Sequence, residues 1–255
     1  MAKQISSILV FFIASLIGFA QSELYEEPVI IYSHQHYGGI HLQTSGWGGT
    51  FTFGKYKTAH SVWTYSLDAL FMKHEKEVKS FNPVYEDSKS YVYGKINNFY
   101  ILRPGVGQKK ILTDKLRKSG VQVGYSWSVG PSIGLTKPVY LEIGYPSIPY
   151  DYLAVEKYDP DKHYFDDIYG RASGLNGLNE LGFHPGGFAK FALNFEYANE
   201  KERLKGMEVG SALDMYLNRI PIMASDIGEQ EGLKNKRFFL TFYINLFIGQ
   251  KYNLR

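Results

Sequence analysis

The chain has no cysteine among its 255 residues. That absence excludes a disulfide framework, a thiolate metal site and a lipidated-cysteine leader. Long apolar runs are missing too. Past residue 20 no stretch approaches eighteen consecutive apolar side chains, so no helix is expected to cross a bilayer. Charge is nearly balanced: Lys+Arg 28 against Asp+Glu 25 leaves a net +3 with no basic cluster, which argues against a nucleic-acid partner. Catalytic spacings are lacking as well. No Ser-His-Asp or paired-Asp arrangement is recognisable. Gly105-Val106-Gly107 has no helix behind it to cradle a phosphate. Asp159-Pro160-Asp161-Lys162-His163, followed by Asp166-Asp167, lacks the central glycine and closing Glu of an EF-hand. Neither an enzyme activity nor a cofactor is expected.

What the chain has in abundance is aromatics, 21 Tyr and 17 Phe within a 44% apolar composition. A secreted soluble domain has little use for so many, whereas a membrane barrel needs two aromatic girdles. Residues 1–20 carry a lone Lys3, a mostly apolar stretch over 8–17, then Gly18-Phe19-Ala20. This reads as an export signal cleaved before Gln21, its apolar core being too short for a membrane anchor. Residues 21–255 are then the mature domain.

Residues 237–249 state the architecture most plainly. Phe238, Leu240, Phe242, Ile244, Leu246 and Ile248 alternate with a mixed set that includes Thr241, Asn245 and Gly249. A strand sends such alternate side chains to opposite faces, and about twelve residues suffice for a tilted strand to cross a bilayer. The same pattern is read earlier in the chain. An irregular first strand covers residues 28–32 and 37–43, a turn 45–49, and a second strand 50–57. The third strand has Trp63, Tyr65, Leu67, Ala69 and Phe71 on one face. The fourth covers residues 90–102, with Lys95 and Asn97 on one face and Arg103 just past its end; residues 105–120 read as a basic, turn-like connection. The fifth runs from Val121 with every alternate residue small or polar, its parity persisting to Ile143. Residues 146–187 form a long aperiodic loop, the sixth strand covers 189–197, the seventh 207–217, and the eighth closes the set.

The expectation is an all-β, antiparallel up-and-down transmembrane β-barrel of eight strands, or ten if residues 139–144 or 220–223 pair independently. Eight strands put both termini in the periplasm and the longest loop outside the cell, as an outer-membrane barrel requires. Outer-membrane lipid and lipopolysaccharide are its expected surroundings, and other outer-membrane proteins or lipoproteins its expected partners.

In this register Asp68, Lys95, Lys190, Glu196, Glu208 and Asp214 point into the lumen. An eight-strand barrel is only wide enough for side chains to fill, and charges there must pair or carry a heavy desolvation cost. The reading is a salt-bridged, plugged interior; an ion path or a catalytic carboxylate pair is the competing one. At the rim, His74-Glu75-Lys76-Glu77 and His163 are acid–base or metal candidates, read as a solvated strand end and a loop residue. His34 and His36 share a strand face but no third metal ligand is near in sequence.

Several segments carry a resemblance: Gly46-Trp47-Gly48, Lys73-His74-Glu75-Lys76-Glu77, Gly130-Pro131-Ser132-Ile133-Gly134-Leu135-Thr136-Lys137-Pro138-Val139-Tyr140-Leu141-Glu142, His184-Pro185-Gly186-Gly187 and the apolar close of the chain. Together with the Phe19-Ala20-Gln21 leader end, they resemble an uncharacterised family of small outer-membrane β-barrels of Bacteroidota. That resemblance implies the fold and the compartment, and it carries no catalytic residue. The expected role is a structural or interaction subunit, with an outer-leaflet enzyme or a narrow pore as the alternatives.

Overall fold

A computed structural model describes residues 32–113, 120–146, 148–197, 202–224 and 235–253. The export signal and the start of the expected first strand lie outside these residues. Eight strands close into an antiparallel barrel: β1 (His34–Gln43), β2 (Gly46–Thr58), β3 (Ser61–Met72), β6 (Asn97–Thr113), β7 (Gln122–Pro138), β11 (Gly182–Glu196), β12 (Arg203–Tyr216) and β13 (Phe238–Tyr252). Neighbours along the wall are neighbours along the chain, and β1 closes against β13. Among the described residues no helix is long and apolar enough to cross a membrane.

Alternation is what drives closure. Phe242, Ile244 and Leu246 of β13 are exposed on the outside, while Thr241, Tyr243, Asn245 and Phe247 between them are buried. β3 repeats this with Tyr65 and Leu67 outside, Thr64 and Asp68 inside. The outer wall is therefore an apolar belt and the inner wall a packed polar core, the pattern of a barrel that faces lipid. The register fixes the tilt. Paired residues trace a ring through Gln43, Tyr243, Gly210, Ala192, Ser126, Lys109, Val62 and Tyr56. Tyr56 then meets Ser33, not Gln43, so the ring returns to β1 offset by the ten residues between 33 and 43. A stagger of that size over eight strands tilts them by about 40°.

The two ends differ. One end carries the turn between β2 and β3, the β6–β7 and β11–β12 connections, the start of β1 and the end of β13. The other, the long-connection end, carries the described residues of 73–96, 139–181, 217–224 and 235–237 as well as the two-residue β1–β2 turn. The 139–181 connection is not the aperiodic loop read from the sequence. It folds into a separate three-stranded sheet in the order β10-β8-β9, built from β8 (Tyr140–Tyr145), β9 (Tyr152–Lys157) and β10 (Ile168–Arg171). A two-stranded ribbon, β4 (Lys79–Ser80) with β5 (Tyr91–Val92), lies in the 73–96 connection.

Several boundaries move from their expected places, and β11 and β12 start earlier than expected, at Gly182 and Arg203 in place of residues 189 and 207. β2 begins at Gly46, so the turn is Thr44-Ser45 alone. β6 starts at Asn97 and runs on through Gly105 to Thr113, so residues 105–113 of the segment read as a basic turn are half of a wall strand, while 114–119 lie outside the described residues. Residues 139–144 do pair independently, as β8 with β9 and β10, and they do so outside the barrel; the wall keeps eight strands.

Candidate functional site

The lumen is organised by charge pairs that span it. Arg103 of β6 donates from Nε to Asp214 Oδ1 of β12 at 2.8 Å and from Nη2 to Oδ2, with both side chains fully buried. Asp214 Oδ1 also accepts from Ser132 Oγ at 2.8 Å, and Ser132 shares a hydrogen bond with the Tyr216 hydroxyl. Next along the axis, Lys190 of β11 donates to Asp68 Oδ2 of β3 at 3.0 Å, and its ammonium lies 5.6 Å from the Tyr243 ring centre. Tyr243 donates its hydroxyl to Glu208. Nearest the β1 start, Glu196 is held by Lys251 at 2.6 Å and Lys109 at 3.8 Å.

On the inner wall, among the described residues, the cations Arg103, Lys109, Lys190 and Lys251 face the anions Asp68, Glu196, Glu208 and Asp214, four against four. Balance matters here. An uncompensated charge in this medium costs several kcal/mol, whereas bidentate and multiply bonded pairs recover much of that cost.

Of the six residues read from the sequence as lumen charges, five lie on the inner wall and Lys95 does not. It precedes β6, bridges Met223 at the long-connection end and pairs with Glu77 at 2.7 Å. Its parity matches Asn97 and Arg103, but the strand that would carry that parity inward begins after it. Sequence reasoning missed Arg103 as a lumen charge because it was placed past a strand end, and Lys109 because its segment was read as a turn. His41 was also missed. It is fully buried, stacked on Tyr243 at 4.3 Å, with no hydrogen-bond partner at either ring nitrogen among the described residues.

An apolar plug closes the lumen at the long-connection end. Ile220, Ile222 and Met223 pack on Leu70, Met72, Phe99, Ile101 and Tyr216. The segment is pinned by backbone bonds from Ile96 and Asn97 to the Ile222 carbonyl. Asn235 adds three more, accepting from the N–H groups of Ile222 and Met223 and donating to the Met223 carbonyl. This accounts for an apolar run that otherwise has no reason to lie at a barrel mouth.

The rim candidates are engaged in local structure. The His74 Nδ1 accepts the Lys76 N–H, and burial lowers the affinity of the ring for a proton. Glu75 is held below the ordinary carboxylate range by its hydrogen bond from Lys236. His163 accepts the Asp159 N–H at Nδ1 and bonds Glu156 through Nε2 at 3.2 Å. Asp159 closes a local turn by accepting the Asp161 N–H. Among the described residues no group of three or more His, Asp or Glu could hold a metal ion. His34 and His36 both pack against Tyr252. The Thr136 hydroxyl lies 3.1 Å from His184 Nε2, and no carboxylate orients that imidazole among the described residues, so the contact lacks the third member of a catalytic relay.

The outer sheet has a core of its own. Leu141, Ile143, Tyr158 and Ile168 bury against Tyr91 of the ribbon. Asn82 ties the two together by donating to the Ile168 carbonyl at 2.8 Å and to the Tyr150 hydroxyl at 2.9 Å. Lys137 at the end of β7 donates to the carbonyls of Gly174 and Asn176. Tyr85, Tyr150 and Tyr169 pack ring against ring over this junction.

No known protein family, curated protein or solved structure matches the chain.

Proposed function

We propose that the chain is a non-enzymatic outer-membrane barrel that works as a structural and interaction platform. The working part is the outer sheet, and the barrel is its anchor. The observation that carries this reading is the contrast between the two. The lumen is consumed by cross-braced charge pairs and an apolar plug. The outer sheet has an independent core and still leaves Tyr152, Leu153, Val155, Tyr164 and Leu175 exposed. Exposed apolar side chains within the belt answer to lipid and say nothing of partners. Those beyond the belt have no such explanation.

The apolar outer wall, short connections at one end and long ones at the other support an outer-membrane location, with lipid and lipopolysaccharide around the barrel. Membership of the Bacteroidota family that the motifs resemble is part of the same proposal, as is service within a larger outer-membrane assembly of proteins or lipoproteins. The test replaces residues 140–177 with a short Gly-Ser turn in a tagged chain expressed at native level. The barrel should still insert and show heat-modifiable migration, while the proteins that co-purify with the intact chain are lost. An unchanged set of co-purifying proteins would remove the outer sheet from the role.

A further inference from the structure

The outer sheet has two edges, and they are treated differently. At β10 the edge is covered: the Lys89 backbone lies so close to Gly170 that a Cβ there would press on it, and Asn82 takes up the Ile168 carbonyl. The edge at β9 is bare. Its ladder to β8 pairs Tyr140 with Lys157 through to Tyr145 with Tyr152. The Tyr158 N–H donates to the Val139 carbonyl, which sets the phase of the ladder, and at the bend before the strand the Asp151 N–H turns back to the Tyr145 carbonyl. Antiparallel ladders alternate hydrogen-bonded and non-bonded pairs. Tyr152, Ala154 and Glu156 therefore aim their backbone at β8, and Leu153, Val155 and Lys157 aim theirs away. The Ala172 N–H bond to the Tyr140 carbonyl, on the opposite side of β8, obeys the same alternation. Among the described residues no backbone bond reaches the outward groups of Leu153, Val155 or Lys157.

Natural edges are blunted by proline, a bulge, an inward charge or a cover. From Tyr152 to Val155, β9 has none of these. Leu153 is 46% and Val155 53% exposed.

We propose that β9 pairs with β9 of a second copy of this chain, antiparallel and centred on Ala154. The sequence Asp151-Tyr152-Leu153-Ala154-Val155-Glu156-Lys157 is complementary to itself in that register. Leu153 meets Val155 of the second copy, and Val155 meets its Leu153. Asp151, the bend residue just before the strand, comes beside Lys157 of the second copy at both ends, so opposite charges flank an apolar centre. The register also suits the backbone. The Leu153–Val155 pairs become the hydrogen-bonded ones, using the groups that β8 leaves free, and Ala154 faces its counterpart as a close non-bonded pair. The result is one continuous six-stranded sheet. A single strand pair is small beside the roughly 1,200–2,000 Å² of standard interfaces, so it is transient in dilute detergent and is read by trapping.

The absence of cysteine makes the trap clean. Full-length Ala154→Cys and Tyr152→Cys chains are purified in detergent, where no bilayer constrains the two copies, and oxidised mildly. The thiols introduced at 154 should cross-link the chain into a dimer. Those introduced at 152 lie about 13 Å apart in this register and should cross-link at least tenfold more slowly, although Tyr152 is the more exposed position. Adding Val155→Pro should abolish the cross-link, since it removes an edge N–H that β8 does not use. No dimer from Ala154→Cys, equal rates at the two positions, or a cross-link indifferent to Val155→Pro would each overturn the proposal. Native mass spectrometry of the concentrated unmodified chain against Val155→Pro is the second measurement, and a dimer that Val155→Pro retains in full is an overturning result. None of these outcomes depends on which proteins co-purify with the chain.

Discussion

Arg103 and Asp214 face each other across the barrel, with β11 and β7 between their strands along the wall, and neither side chain reaches solvent. The pair acts as a strut across the lumen. Lys190 and Asp68 form a second one, from β11 to β3. A wall held only by its ladder could flatten; struts across it fix its section.

Removing one end of the strut leaves a buried charge without its partner. Arg103→Met should destabilise the barrel by about 3–5 kcal/mol, and the double variant Arg103→Met with Asp214→Leu should recover much of that loss. The measurement is the urea midpoint of heat-modifiable migration for the two single variants and the double.

A lumen crossed by struts and stoppered by Ile220, Ile222 and Met223 should not conduct. Planar-bilayer recordings of the purified chain are expected to show no conductance steps. Regular steps from the unmodified protein would mean that the plug leaves its seat.

Asn235 satisfies three backbone groups of the plug. Asn235→Ala leaves those groups without it, at roughly 1–3 kcal/mol where they remain dry. Faster amide exchange at Ile222 and Met223, with the wall strands unchanged, is the expected signature.

The outer sheet should fail in alkali before the barrel does. Burial pushes the Tyr158 phenol up to about 12 and raises that of Tyr91 as well. In an unfolded segment both would ionise near 10. Below that pH the folded and unfolded forms bind the same protons and the packing is fully stable. Between about 10 and 12 the unfolded form has lost protons that the folded form keeps, so stability falls as pH rises. Tyrosinate absorbance should show a late, cooperative step that vanishes when residues 140–177 are replaced.

His163→Ala should loosen the same sheet by about 1–2 kcal/mol, because the Asp159 N–H loses its acceptor and Glu156 loses a donor. Limited proteolysis between β9 and β10 reads this. No change in lipid or peptide turnover is expected.

The wall was legible in the sequence wherever apolar outward side chains alternated with packed inward ones. β13, β12 and β3 declare themselves by strict alternation, and eight strands follow. β6 was cut short because Gly105 and Gly107 read as a turn. At Gly107 glycine serves close approach instead, since a Cβ there would run into the Trp127 carbonyl on β7. That misreading hid Lys109 and moved Arg103 off the strand that aims it. Lys95 shows the opposite failure, a correct parity extended past the end of the strand that gives parity its meaning. Beyond the parity read through Ile143, the outer sheet left no periodic signal because its strands are four to six residues long and its core takes Tyr91 from far away in sequence.

The pairing of β1 with β13 brings the two ends of the wall together, across nearly the whole described chain. Contacts that distant in sequence form late and slowly. Until β13 docks, the ten-residue β1 and the fifteen-residue β13 each present a raw, apolar-flanked edge. Unlike the other wall strands, neither has a neighbouring wall strand in sequence on its closing side. Maturation of this protein is therefore a matter of escort: the unfolded chain must keep those two edges from other partners until they meet each other.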